Sequence, residues 1–346
     1  MRIVVFLCLL LAAATFGQAS AASTPLFADH SLIRVKISGP VTTLTRERPD
    51  DQELPATFAY TSDDGSPVVL DVKLRTRGNF RRDRRTCPFP PVRINFVKRQ
   101  VKGTTFAGQD KLKLVTHCRN KFEANHRAVH REYLAYRVLN TLTDASFRVR
   151  LLEIEWVDAE KNDRSVTEYG FLIEDVDELA ERLDREELEI PETSLSALDP
   201  AYTNLTSIFQ LFIANTDFSP IAAAPGQSCC HNGKLIGKPG QPIYAVPYDF
   251  DMSGFVDAPY ATPNPRFGLR NVKQRLYRGR CVNNEYVPAT LQLFRDHRDE
   301  IVDLIRTYDY LEEKYREETI RYVDAFYELI NDPAEVNRRI IGACLG

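Results

Sequence analysis

The sequence predicts an α+β protein in two lobes, and three observations predict it. Strand-like alternation dominates residues 32–173, and helix-like periodicity dominates from Leu198 onward. A single amphipathic stretch, Glu123 to Leu142, interrupts the strands. Runs of strands followed by runs of helices are the signature of an α+β plan. The join falls at about Glu174-Asp175, giving a first lobe at 22–173 and a second at 174–346.

Each element follows from its residues. Met1 to Ala21 has one early arginine, an apolar run from Ile3 to Phe16 and small residues at Ala19-Ser20-Ala21, the pattern of a cleaved secretory signal. A secreted or periplasmic location is therefore expected, and no later stretch is apolar enough to span a membrane. Leu32-Ile-Arg-Val-Lys-Ile37 alternates as a strand does. Ala56–Tyr60 and Val68–Thr76 flank Ser-Asp-Asp-Gly-Ser, which reads as a hairpin turn. Val92–Val97 and Lys111–Val115 add two short strands. In Glu123–Leu142, apolar side chains at Val129, Tyr133, Tyr136, Val138 and Leu139 mark one helix face. Val149–Val157 and Thr167–Ile173 form a second hairpin. Helices are expected at Tyr202–Ala214, Thr290–Arg306 and Leu311–Ile330.

Charge is uneven although the formal net charge is only −3. Between Lys73 and Arg131 there are 17 Lys plus Arg against 3 Asp plus Glu, so the first lobe is basic there. Such a surface favours anionic partners, while export and the overall balance argue against nucleic acid. Six cysteines remain beyond Cys8, and an even number in an exported chain points to disulfides rather than metal, as no Cys-x₂-Cys spacing occurs. Cys87 is expected to pair with Cys118, since both flank strands of the first lobe. Cys229 or Cys230 is expected to reach Cys281, because neighbouring cysteines bonded to each other close a strained ring.

The stretch most suggestive of chemistry is Ile243-Tyr-Ala-Val-Pro-Tyr-Asp-Phe-Asp-Met-Ser-Gly254. A short strand ends at Pro247 and delivers Asp249 and Asp251, as sites for Mg²⁺ often do. Asn215-Thr-Asp217 and His231-Asn232 precede it, which places an Asp, an Asn and a second Asp in the chain order used in kinase-type phosphoryl transfer. Asp-x-Asp also fits a solvated turn or a helix N-cap.

Leu74-Arg-Thr-Arg-Gly-Asn-Phe80, Pro91-Val-Arg-Ile-Asn-Phe96, Tyr169-Gly-Phe-Leu-Ile-Glu174, Asn215-Thr-Asp217, His231-Asn232 and Pro247-Tyr-Asp-Phe-Asp251 occur in an order that resembles the CotH-type secreted kinases, relatives of a spore-coat protein. The resemblance covers roughly residues 70–255. It implies a protein-kinase-like fold with a strand-rich N-lobe holding one helix, a helical C-lobe and Mg–ATP between them, with Mn²⁺ able to replace Mg²⁺. It further implies Asp217 as the catalytic base. Asn232 and Asp249 would be metal ligands, and Asp251 a third ligand or a loop anchor. Arg77-Gly78-Asn79 would approach phosphate, as glycine permits. Lys113 would contact phosphate, with Lys111 and Arg93 as alternatives, and Glu132 would pair with it. Glu174 would lie at the hinge that reads adenine. The acceptor is a hydroxyl on a protein or small molecule. The sequence departs from protein kinases in lacking Gly-x-Gly-x-x-Gly and in placing Asn232 fifteen positions after Asp217. A secreted scaffold without catalysis and a metal-dependent sugar-nucleotide glycosyltransferase, which also uses Asp-x-Asp, are the competing readings.

Overall fold

In the computed structural model, residues 24–223 and 226–346 are described. The expected signal segment lies outside them. The first half is a sheet rolled shut. Its strands are β1 (Ile33–Gly39), β2 (Leu54–Thr61), β3 (Pro67–Thr76), β4 (Val92–Phe96), β5 (Lys111–Val115), β6 (Val149–Asp158) and β7 (Arg164–Ile173). Their order around the barrel is β1-β2-β3-β4-β5-β7-β6. All neighbours are antiparallel except the closing pair, where β1 runs parallel to β6 from Ile33 opposite Leu152 to Gly39 opposite Asp158. Closure removes the open edges a flat sheet would leave.

Alternation decides which side chains fill the barrel. Leu74, Ile94 and Leu112 stand in register on three adjacent strands and are buried with Phe58, Trp156 and Leu172. The next residues along, Arg75, Arg93 and Lys113, are in register as well and belong to the outer face. The β2–β3 hairpin turns at Ser62–Ser66, where Gly65 adopts φ +83° and the Asp64 carboxylate accepts from the Ser66 N–H and the Ser62 hydroxyl.

Helices α1 (Val41–Arg46) and α2 (Glu123–Leu142) belong to this half, and α2 packs on β6 and β7. Beyond β7 come α3 (Val176–Arg182), β8 (Glu186–Glu187), α4 (Pro200–Ile213), β9 (Gly233–Gly237) and β10 (Tyr244–Pro247). Strands β10-β9-β8 form a second sheet of three strands. The chain ends in α5 (Val287–Asp296), α6 (Arg298–Arg306), α7 (Glu313–Asn331) and α8 (Pro333–Val336). One continuous core joins α2, α4 and these last helices through Phe209, Phe212, Phe294 and Phe326. Among the described residues, no helix is long and apolar enough to cross a membrane.

Elements match expectation more closely than architecture does. Strand β5 and helix α2 have the expected bounds, while the helix expected over Thr290–Arg306 is two, broken at His297. The two-lobed kinase-like fold is overturned. A closed seven-strand mixed barrel and a three-strand sheet within the second half are not a strand-rich N-lobe opposite a helical C-lobe. Alternation reveals strands but not their partners. The parallel β1–β6 pairing joins residues more than 100 positions apart, and the two-residue β8 carries no readable period.

The cysteines stand in three pairs at bonding distance: Cys87 with Cys118, Cys229 with Cys230, and Cys281 with Cys344. The first is the expected pair. The expected bond from Cys229 or Cys230 to Cys281 is not formed, because Cys281 lies beside the C-terminal segment: Arg280 bridges Leu345, and the Cys281 N–H donates to the Leu345 carbonyl.

Candidate functional site

The outer face of β3, β4 and β5 forms one wall of a cavity of about 790 Å³, and the loops around Asp217, His231 and Asp249 form the other. The volume lies in the range of small-molecule sites.

The loop after β3 enters this cavity. Gly78 takes φ +75°, a conformation that favours glycine, and turns the chain outward after Arg77. The loop is secured behind by the Cys87–Cys118 bond and by the Arg48 guanidinium, which donates to the carbonyls of Arg82, Cys87 and Pro88. Arg81 is thereby carried inward until it is only 7% exposed. Its nitrogens lie 3.1 Å from Asp249 Oδ1, 3.1 Å from Asp251 Oδ2 and 3.6 Å from Glu132 Oε2. Three carboxylates share one guanidinium, so full ionisation would leave negative charge buried. Burial, first, and the neighbouring carboxylates push Glu132 up to about 8 and Asp251 up to about 7.

Asp249 follows β10 with φ +62°, a left-handed conformation that costs little at Asp or Asn. Its N–H donates to the Tyr136 hydroxyl of α2 at 2.8 Å, and Phe250 packs on Tyr136 and Phe209. The strand end is thus pinned to two helices, and the Asp249 carboxylate stays partly open to the cavity. Asn232 also adopts a left-handed φ, +52°.

Asp217 is held by its neighbours in the loop that follows α4. Asn215 Oδ1 accepts from the Asp217 N–H at 2.9 Å. The Asp217 carboxylate meets His231 Nε2 at 2.7 Å and accepts from Asn232 Nδ2 at 2.9 Å. The hydrogen bond to Asp217, foremost, raises the His231 pKa above its ordinary value. Between α4 and β9, then, a partly exposed carboxylate is fixed by an imidazole and an amide and can accept a hydrogen bond from a group in the cavity.

The cationic wall is largely unpaired. Arg75, Arg93 and Lys113 are direct cross-strand neighbours on one face, and Arg77 lies next to them in the cavity lining. None of the four has a carboxylate oxygen within ion-pair distance among the described residues. Arg77 Nε and Nη2 and Arg93 Nε are sealed from solvent without an acceptor. Burial, followed by the Arg77 charge, pulls Lys113 down to about 8, and its ammonium sits 4.6 Å from the Tyr248 ring centroid.

Of the residues singled out from the sequence, Arg77, Gly78, Lys113, Asp217, Asn232, Asp249 and Asp251 all line this cavity. Two are placed otherwise. Glu132 is adjacent, but its partner is Arg81 rather than Lys113. Glu174 lies outside, buried against Arg182 at 3.0 Å, and its N–H is already given to the Arg148 carbonyl, so it offers no free backbone donor. Arg81 and His231 have roles the sequence did not assign. Arg81 was hidden in an arginine-rich run, and the available signal was that seventeen cations against three acids require counter-charges from elsewhere in the chain.

Among the described residues, no group of three or more His, Cys, Asp and Glu side chains is arranged to hold a metal ion. Mg²⁺ asks for less, since it binds through one or two carboxylates with water and phosphate completing its shell. Asp249 and Asn232 fit that requirement: the carboxylate borders the cavity, and the Asn232 amide nitrogen is engaged by Asp217, leaving its oxygen free of that contact. Asp251 does not fit, because it is buried against Arg81. No protein-family model and no curated protein sequence matches the chain.

Proposed function

We propose that this cavity binds a nucleoside triphosphate with Mg²⁺, or Mn²⁺ in its place, and transfers phosphate to a hydroxyl acceptor. One observation carries the reading: unpaired cations and oriented carboxylates, from segments up to about 170 residues apart, line a single cavity. Phosphoryl transfer is mostly positioning and charge neutralisation, and the lining supplies both. The resemblance to CotH-type kinases supports this chemistry, since most segments that carry it contribute to the lining. Export of the chain belongs to the same proposal, supported by its apolar leader and by the three cysteine pairs.

In this mechanism Arg77 and Lys113 bind the phosphates, and Arg77 gains the acceptor its buried N–H groups lack. Asp249 and Asn232 would hold the metal, which supplies charge neutralisation between phosphates. Arg81 positions Asp249 from behind. Asp217, oriented by His231 and Asn232, accepts the proton of the attacking hydroxyl. A second reading, a binding scaffold without turnover, is favoured by Arg81 itself, which already neutralises Asp249 and Asp251.

Two substitutions separate the readings. Asp217→Ala should leave nucleotide affinity nearly unchanged and lower transfer about 10²–10⁴-fold, the usual contribution of a general base. Asp249→Ala should abolish Mg²⁺-dependent binding and transfer together. Calorimetry beside transfer from labelled ATP measures both. Nucleotide binding without transfer to any acceptor supports the scaffold.

A further inference from the structure

The outer wall holds more positive charge than one nucleotide needs. Arg75, Arg93 and Lys113 face one another directly across β3, β4 and β5, where like charges repel. Arg77 adds a fourth charge beside them. Arg75 gives one nitrogen to the Asp50 carbonyl, which carries no formal charge, and Arg93 has a nitrogen sealed from solvent without an acceptor. Asp50 faces Arg82, Asp217 faces His231, and Asp249 and Asp251 face Arg81. None of these carboxylates lies within ion-pair distance of the four wall cations. A triphosphate bound with one divalent ion carries a net charge of roughly −2, which Arg77 and Lys113 match, so Arg75 and Arg93 remain without an ion-pair partner and can face one phosphate monoester.

Resting on the nucleotide reading above, we propose that Arg75 and Arg93 form a second anion subsite, and that the acceptor is a small molecule already carrying a phosphate ester. Arg77 and Lys113 take the nucleotide, while Arg75 and Arg93 seat the phosphate of the acceptor. A free small molecule fits better than a protein chain because Arg93 lies on the middle strand of the three. Its partly buried side chain lines the same cavity as Asp217, whose volume of about 790 Å³ is that of a small-molecule site. The reaction is a displacement at the terminal phosphorus. The acceptor oxygen bonds to it, the bridging oxygen leaves with the diphosphate, and the hydroxyl proton passes to Asp217.

The test loads the full chain with Mg²⁺ and a non-hydrolysable ATP analogue, then titrates ribose 5-phosphate, ribose and a phosphoserine peptide by calorimetry. Ribose 5-phosphate should bind without displacing the analogue, and ribose should not bind. Arg93→Gln and Arg75→Gln should each weaken ribose 5-phosphate about 10–100-fold, the size of a lost charged hydrogen bond, with analogue affinity unchanged. Arg93→Gln should not melt below wild type, since it removes a repulsion and no hydrogen bond, whereas Arg75→Gln also gives up the bond to the Asp50 carbonyl. Competition between ribose 5-phosphate and the analogue overturns the second subsite, as does indifference to both substitutions. Tighter binding of the phosphopeptide overturns the small-molecule acceptor. If no nucleotide binds, inorganic phosphate is titrated instead. Two sites, one lost in Lys113→Met and one in Arg93→Gln, keep the subsite while removing the nucleotide reading. A single site removes both.

Discussion

At the scale of the residue, the decisive feature is Arg81 among Glu132, Asp249 and Asp251. Glu132 and Asp251 have pKa values raised above their ordinary 4.5 and 3.8, to about 8 and about 7, so the folded protein holds protons there that the unfolded chain releases. Stability from this cluster therefore falls as pH rises from the ordinary carboxylate values through about 8. Glu132→Gln should flatten that fall, and urea unfolding of both proteins at about pH 5.5 and about pH 8 measures it. An unchanged slope in the variant would place the protons elsewhere. Lys113 has the opposite sense for a ligand: its pKa is lowered to about 8, and it attracts phosphate only while protonated. Phosphate affinity should fall as pH rises through about 8, and Lys113→Met should weaken binding and remove that dependence.

The element scale shows what was legible. The alternation in β1, the turn chemistry at Asp64-Gly65 and the 3.6-residue period of α2 are local signals, and each element formed as read. Asp217, Asn232 and Asp249, singled out by their chain order, line one cavity, although Asp and Asn at loop positions serve turns and caps just as often. What stayed hidden depended on distant contacts. Nothing in β1 names β6 as its parallel partner, nothing in Glu132 names Arg81, and nothing in Glu174, placed at a hinge by the resemblance, names Arg182, which α3 brings to it. The loop that carries Arg77 and Arg81 is an element whose position rests on the Cys87–Cys118 bond, whose ends are 31 positions apart. Replacing both cysteines by serine should cost about 2–4 kcal/mol in denaturant unfolding. The loss of nucleotide affinity should exceed that of a double variant at Cys281 and Cys344, which do not line the cavity. Equal losses would show that the first bond supports the fold generally rather than the site.

For the whole molecule, the seven-strand barrel and the helical core have a common purpose in this account. The barrel presents a rigid cationic face, and the second half brings carboxylates opposite it on the loops after α4 and β10. Binding should therefore tie the two halves together and stabilise the fold as a unit. The most direct measurement is thermal unfolding of the full chain with ATP, with and without Mg²⁺, and with UDP-sugars as comparison. At a hundredfold excess over Kd a specific ligand adds about 2.7 kcal/mol, which for a chain of this length raises Tm by roughly 4 °C. The account predicts that rise with Mg–ATP, a smaller one with ATP alone, and none with Mg–ATP in Asp249→Ala. No shift with any nucleotide and any divalent ion would contradict it, and a shift with UDP-sugars alone would assign the cavity to sugar transfer instead.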